Sequence, residues 1–251
     1  MAIIFRADNH TYWDEETGEE YMSVTRFLGL EEPFDMEVAV TNAINSRSGR
    51  YKGWGREEVK KEWDRIRETG TALHKAIEEY IKHGKIEEIE QEHRQAVWHF
   101  AQGSFKGVLH SEMLLWSRKL RLAGTCDIIS EWYDKDTRLR VFNIFDIKTS
   151  ASIEYKLEKF SKQMWLYAYM LDEWLKEEEE KDKALFESTN IEPMGRTTKA
   201  AGVIYYKDYL HNKKEKPTFV KALDMRNYVE SLYKKNTPAF GGMGLKEAIC
   251  E

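Results

Sequence analysis

The spacing of apolar positions changes along the chain, and each change marks an element. Tyr12 and Tyr21 flank Thr17-Gly18, which predicts an N-terminal hairpin. From about 57 to 83, Val59, Trp63 and Ile66, then Leu73, Ile77 and Tyr80, recur with the spacing of a helix. Gly70 is the point where that helix can kink or divide. Ile86, Ile89, Val97 and Phe100 predict another helix over about 86–101. β character then takes over, with strands expected at 107–117, 120–133 and 139–149. Asp134-Lys135-Asp136-Thr137 turns the last two into a hairpin. Phe160, Met164, Tyr167, Leu171 and Trp174 line one face of a long helix at about 154–180. Its end, Glu177-Glu178-Glu179-Glu180-Lys181-Asp182-Lys183, reads as a solvated charged stretch. Residues 185–199 read as a loop. Strands at about 200–207 and 216–222 and a helix near 224–235 follow, and Pro238, Gly241, Gly242 and Gly244 loosen the tail. This order predicts an α/β (α+β) fold with a central mixed β-sheet flanked by helices. With no repeat or clear linker, 1–251 reads as a single domain. A hairpin and helical segment (about 1–105) leads into a core (about 106–235).

Composition removes several classes. Two cysteines, Cys126 and Cys250, exclude a disulfide framework, a four-cysteine zinc site and a four-cysteine iron–sulfur cluster within the chain. That usage fits a reducing cytoplasm. No apolar run reaches the length of a membrane span, and the start lacks the apolar stretch of a signal peptide. The net charge of −5 leaves nucleic-acid binding to local basic patches.

Candidate chemistry begins where two expected strands carry acids: Gly124-Thr125-Cys126-Asp127 and Phe145-Asp146-Ile147-Lys148. Paired about the 134–137 turn, they place Asp127 roughly opposite Asp146. Like charges facing across a sheet repel, and a divalent cation reverses that sign. Two carboxylates and a backbone carbonyl suit Mg2+, which takes oxygen ligands and keeps several waters. Alternation puts Asp146 and Lys148 on one face and Ile147 on the other. The plain alternative is an Asp–Lys pair at a frayed strand end.

Two further pairs lie on expected helices. His74 and Glu78 share a helix face, with Gly70 and Thr71 one turn earlier. Gln163 and Tyr167 are also four apart, and Lys156 and Lys159 continue their stripe. Alone, His74 reads as a hydrogen-bonded helix histidine rather than a metal ligand, and Tyr167 as a core residue.

In this order, G-T-x-x-H at 70–74, G-x-x-D at 124–127, D-x-K at 146–148 and Q-x-x-x-Y at 163–167 resemble the RecB-like, phage-type exonuclease branch of the PD-(D/E)XK nuclease superfamily. The resemblance covers about residues 70–167. It implies a restriction-endonuclease-like core and Mg2+-dependent hydrolysis of DNA, with Mn2+ able to substitute. It implies that Asp127 and Asp146 bind metal beside the Ile147 carbonyl, with His74 as a ligand or neighbour. Lys148 would orient the attacking water and stabilise charge, while Gln163 and Tyr167 hold the DNA backbone or brace the site. Glu112 occupies the region where relatives often carry a further acid; the alternative is an exposed strand glutamate. Asp146 stands where many relatives have glutamate. No G-x-x-x-x-G-K-[ST] loop occurs, so no ATP motor is expected.

For grip on DNA, Arg47, Arg50, Lys52 and Arg56 surround Tyr51 and Trp54, a basic and aromatic mixture that suits a single strand. The alternative is a surface loop with locally packed aromatics. Lys213, Lys214 and Lys216 read as a solvated turn. The functional expectation is an exonuclease acting on linear single-stranded or duplex DNA in phage recombination, repair or DNA turnover. It would work in the cytoplasm (the host's, if phage-encoded), with a possible single-strand-annealing or replication partner. An endonuclease of the same superfamily and a non-catalytic DNA-binding protein are the alternatives.

Overall fold

The computed structural model describes residues 3–6, 11–47, 49–103, 105–186 and 195–235. Strands β1 (Ile3–Arg6), β2 (Thr11–Asp14) and β3 (Glu20–Ser23) form an antiparallel meander, so the expected hairpin is present and gains an outer strand. Helices α1 (Val24–Glu31) and α2 (Met36–Ile44) follow, which the periodicity does not announce. Both are short and held by local caps. The Ser23 hydroxyl accepts from the Arg26 amide at 3.1 Å, and the Asp35 carboxylate from the Val38 amide at 3.0 Å.

Helix α3 (Arg56–His83) runs unbroken through Gly70 and ends on Gly84, whose φ of 69° is the usual left-handed stop. The helix expected at 86–101 is split into a 3-10 turn at Ile86–Glu88 and helix α4 (Arg94–Ala101). Across this break the Arg94 guanidinium donates to the carbonyls of Glu87 and Ile89, each at 2.7 Å.

Strands β4 (Val108–Ser117), β5 (Leu122–Asp134) and β6 (Leu139–Lys148) lie close to expectation. Helix α5 (Leu157–Phe186) carries the charged stretch to a later end than expected. Strand β7 (Arg196–Tyr205) begins inside the expected loop, and Arg196 is tied to Glu179 of α5 at 2.5 Å. Residues 185 and 186 of that loop belong to α5, and residues 187–194 and the tail glycines lie outside the described residues. Strand β8 (Thr218–Lys221) and helix α6 (Arg226–Lys235) complete the fold.

The eight strands among the described residues join one mixed sheet in the order β1-β2-β3-β5-β6-β7-β8, with β4 also on β5. Helices cover both faces. One core lies against α1, α5 and α6, around Phe27, Leu115, Ile144 and Met164. The other lies against α3 and α4, around Leu73, Phe100, Ile128 and Ile147. No described helix is long and apolar enough to cross a membrane.

The pairing of β5 opens the sheet at one place. One edge carries β4 from Leu122 to Glu131. The other takes β3 at Leu122–Ala123 and β6 only from Ile128 onward. Among the described residues, no strand covers 124–127 on that edge.

Candidate metal centre

Three acids meet at this gap. Ser111 pairs with Ile128 and Met113 with Cys126, so Glu112 stands across from Asp127. The β5–β6 ladder ends at Ile128 and Phe145, which leaves Asp146 beside Asp127 one step further. Glu112, Asp127 and Asp146 thus form a row across β4, β5 and β6. Glu112 has φ 52°, a left-handed backbone that is strained for this residue type. The strands change face there. Leu109 packs toward α3–α4 while Met113 and Leu115 pack toward α5. On β5, Cys126 faces α5 and Ile128 faces the other core, although both numbers are even. This local inversion brings acids from three strands to one place.

Helix α3 supplies the imidazole. It lies close to β6 because position 70 is glycine: a Cβ there would sit 2.6 Å from the Thr149 hydroxyl. One turn on, His74 Nε2 lies 3.1 Å from the Ile147 carbonyl. A carbonyl only accepts, so Nε2 carries the proton and donates. Burial holds the imidazole below its ordinary pKa, against the opposing charge of Asp127, so it is neutral and Nδ1 is bare. That bare nitrogen lies 3.5 Å from Asp127 Oδ2. The same Oδ2 accepts the Ile147 amide at 2.8 Å, which fixes its direction.

Ligating atoms of His74, Glu112 and Asp127 all lie within 4.8 Å of one another. Burial pushes the Glu112 carboxyl up to about 7, with Asp127 and Glu78 adding to the shift and Lys82 opposing it. The residue is exposed, yet enough protein crowds its carboxyl to disfavour the charge. A lone pair and crowded carboxylates facing one another fit a cation. The donor set, oxygens with one imidazole, suits Mg2+ or Mn2+.

Asp146 is placed differently from expectation. It lies outside the trio and pairs with Lys148 Nζ at 2.6 Å. Burial pushes its carboxyl up, and nearby Asp127 adds to the rise while Lys148 opposes it. The Lys148 amine loses water too, but the charges of Asp146 and Asp127 outweigh that and raise its pKa. It is therefore an ammonium. The Ile147 carbonyl, expected as a ligand, is taken by His74.

Helix α5 closes the other side. Phe160 lies under Lys148, with the amine 4.8 Å from the ring centre. Tyr167 is 5% exposed and cannot reach DNA. Its ring presses on Gly124, where a Cβ would meet the hydroxyl at 2.8 Å. Gln163 Nε2 donates to that hydroxyl at 3.5 Å. Both residues therefore brace the strand that carries Asp127. The sequence does not announce Thr149, and it shows Phe160 only as part of the apolar face of the helix. The first adjoins the D-x-K motif, and the second sits one turn before Gln163 on the same apolar face.

The basic patch is only partly free. Arg50 pairs with Asp208 at 3.0 Å, and Arg56 with Glu37 at 2.6 Å. Tyr51 is buried with Val40 and Val59, and Trp54 packs edge-on against it. Arg47, Lys52 and Lys156 are exposed, and Lys159 is half-buried. Lys213 is paired with Glu92 and does not simply face solvent. No protein-family model matches the chain, and no curated protein matches it.

Proposed function

We propose that this chain is a divalent-cation-dependent deoxyribonuclease that hydrolyses phosphodiester bonds from the ends of linear DNA, in phage recombination, repair or DNA turnover. The observation that carries the proposal is the convergence of His74, Glu112, Asp127, Asp146 and Lys148 at the gap beside residues 124–127 of β5. The choice of ends over internal sites follows the ordered motifs and their resemblance to RecB-like exonucleases.

His74, Glu112 and Asp127 would hold the cation, with Asp146 beside them, and such an ion would supply polarisation of the scissile phosphate and activation of water. Asp127 is oriented for this by the Ile147 amide. His74 offers a neutral nitrogen because burial keeps it unprotonated. Lys148 acts as a fixed positive charge where negative charge grows, and not as a base, because its amine stays protonated. Phe160 and Asp146 hold that ammonium in place. Arg47, Lys52 and Lys156, which are exposed, would meet phosphates.

The test is incubation of the purified chain with linear duplex, linear single strand and closed circles, with Mg2+ and with a chelator. Mg2+-dependent loss of linear DNA with circles intact is expected. Cleavage of circles would make it an endonuclease, and binding without cleavage a non-catalytic DNA-binding protein.

A further inference from the structure

A second group of ligating side chains lies between α3 and α4, apart from the candidate nuclease site. Ligating atoms of Glu90, Glu92 and His93 all fall within 4.8 Å of one another. Glu90 and His93 also line a cavity of about 350 Å³, together with Glu79 and His83 of α3. Exposed acids alone indicate little. His93 is the informative member.

His93 is 1% exposed and opens helix α4. Its Nδ1 lies 2.8 Å from the Tyr209 hydroxyl, and the two rings are nearly parallel, at 24°. Its Nε2 is buried and makes no hydrogen bond with any protein atom. Glu92 Oε1 lies only 3.2 Å away. A buried ring nitrogen beside a carboxylate oxygen, with no hydrogen bond between them, is costly as it stands. The other ring nitrogen is held by a partner, as in most ligating histidines. Lys213 pairs with the second oxygen of Glu92, which leaves Oε1 turned toward His93.

The geometry points to a second divalent-cation site formed by His93 Nε2, Glu92 Oε1 and a carboxylate oxygen of Glu90, suited to a borderline ion of the zinc or manganese type. One imidazole and two carboxylates give three protein ligands and leave further positions to water. Tyr209 fixes the ring from the loop after β7. A bound ion therefore ties that loop, the start of α4 and the turn before it into one unit. Lys213 is paired with Glu92, and Lys75 and Lys85 line the same cavity, so these charges set a limit on the affinity.

The test uses the full chain carrying Asp127→Asn and Glu112→Gln, which disables the first cluster. Titration with Zn2+, followed by calorimetry and by thermal melting, should show one ion bound per chain and a raised Tm. Adding Glu92→Gln or Glu90→Gln should weaken that binding at least about tenfold, and Tyr209→Phe by about 10–100-fold. Both glutamates are exposed, so these variants fold even if a His93 variant does not. No Zn2+ binding in the double variant, or binding that both glutamate substitutions leave unchanged, overturns the proposal.

Discussion

Glu112 combines two unfavourable features, a backbone at φ 52° and a carboxyl pushed up to about 7. Sparse backbone regions of this kind cost roughly 1–3 kcal/mol and collect at functional sites. Because the folded carboxyl titrates above its ordinary 4.5, the folded state binds a proton that the unfolded chain has already released. Stability therefore falls as pH rises through the window from about 4.5 to about 7. Glu112→Gln should raise the Tm of the cation-free protein at pH 8, and the gain should fade as the pH approaches 4.5. Saturating Mg2+ or Mn2+ should remove or reverse it. Melting curves with and without chelator check both parts. The same protons compete with a cation, so Mn2+ should bind more tightly at pH 8 than at pH 6. It should displace protons at the lower pH, which calorimetry in buffers of different ionisation heat detects.

At the scale of elements, the approach of α3 to β6 decides whether His74 meets Asp127. Gly70→Ala tests it. Alanine gains about 1 kcal/mol over glycine within a helix. Here its Cβ would fall 2.6 Å from the Thr149 hydroxyl. Overpacking of this kind costs about 1–3 kcal/mol, so a net loss of stability and of cation affinity is expected. In a Thr149→Ala background the hydroxyl is gone, and Gly70→Ala should become neutral or stabilising. A denaturation cycle over the four proteins measures this coupling. Similar reasoning explains what the sequence reveals of the site. His74, Asp146 and Lys148 are readable because helix and strand periods put them on definite faces, and Asp127 because the register of the β5–β6 hairpin sets it opposite Asp146. The role of Glu112 is not readable, because it depends on a backbone inversion that breaks the strand period. Nor is the burial of Tyr167 against Gly124, since Q-x-x-x-Y spacing fixes a helix face and not what covers it. Helices α1 and α2 escape because elements of eight and nine residues bury too few side chains to set up a period.

For the molecule as a whole, the mixed sheet with helices on both faces follows from the order of elements, and the long strands β4 to β6 match it closely. The basic loop is where local composition misleads. Arg50 and Arg56 are committed to Asp208 and Glu37, so they fasten the helical segment to the core and to α2. Replacing exposed Arg47 and Lys52 should flatten the salt dependence of DNA binding and leave Tm nearly unchanged. Replacing Arg50 should instead lower Tm. The direct test of the proposed chemistry is the single-turnover rate of nucleotide release from end-labelled linear DNA in Mg2+, for the unmodified chain and for Lys148→Ala. Loss of a preorganised charge of this type costs on the order of 10²–10³ in rate, so a drop of that size in a still-folded variant is expected. A Lys148→Ala protein that releases nucleotides as fast as the unmodified chain would contradict the assignment of this site as a nuclease centre.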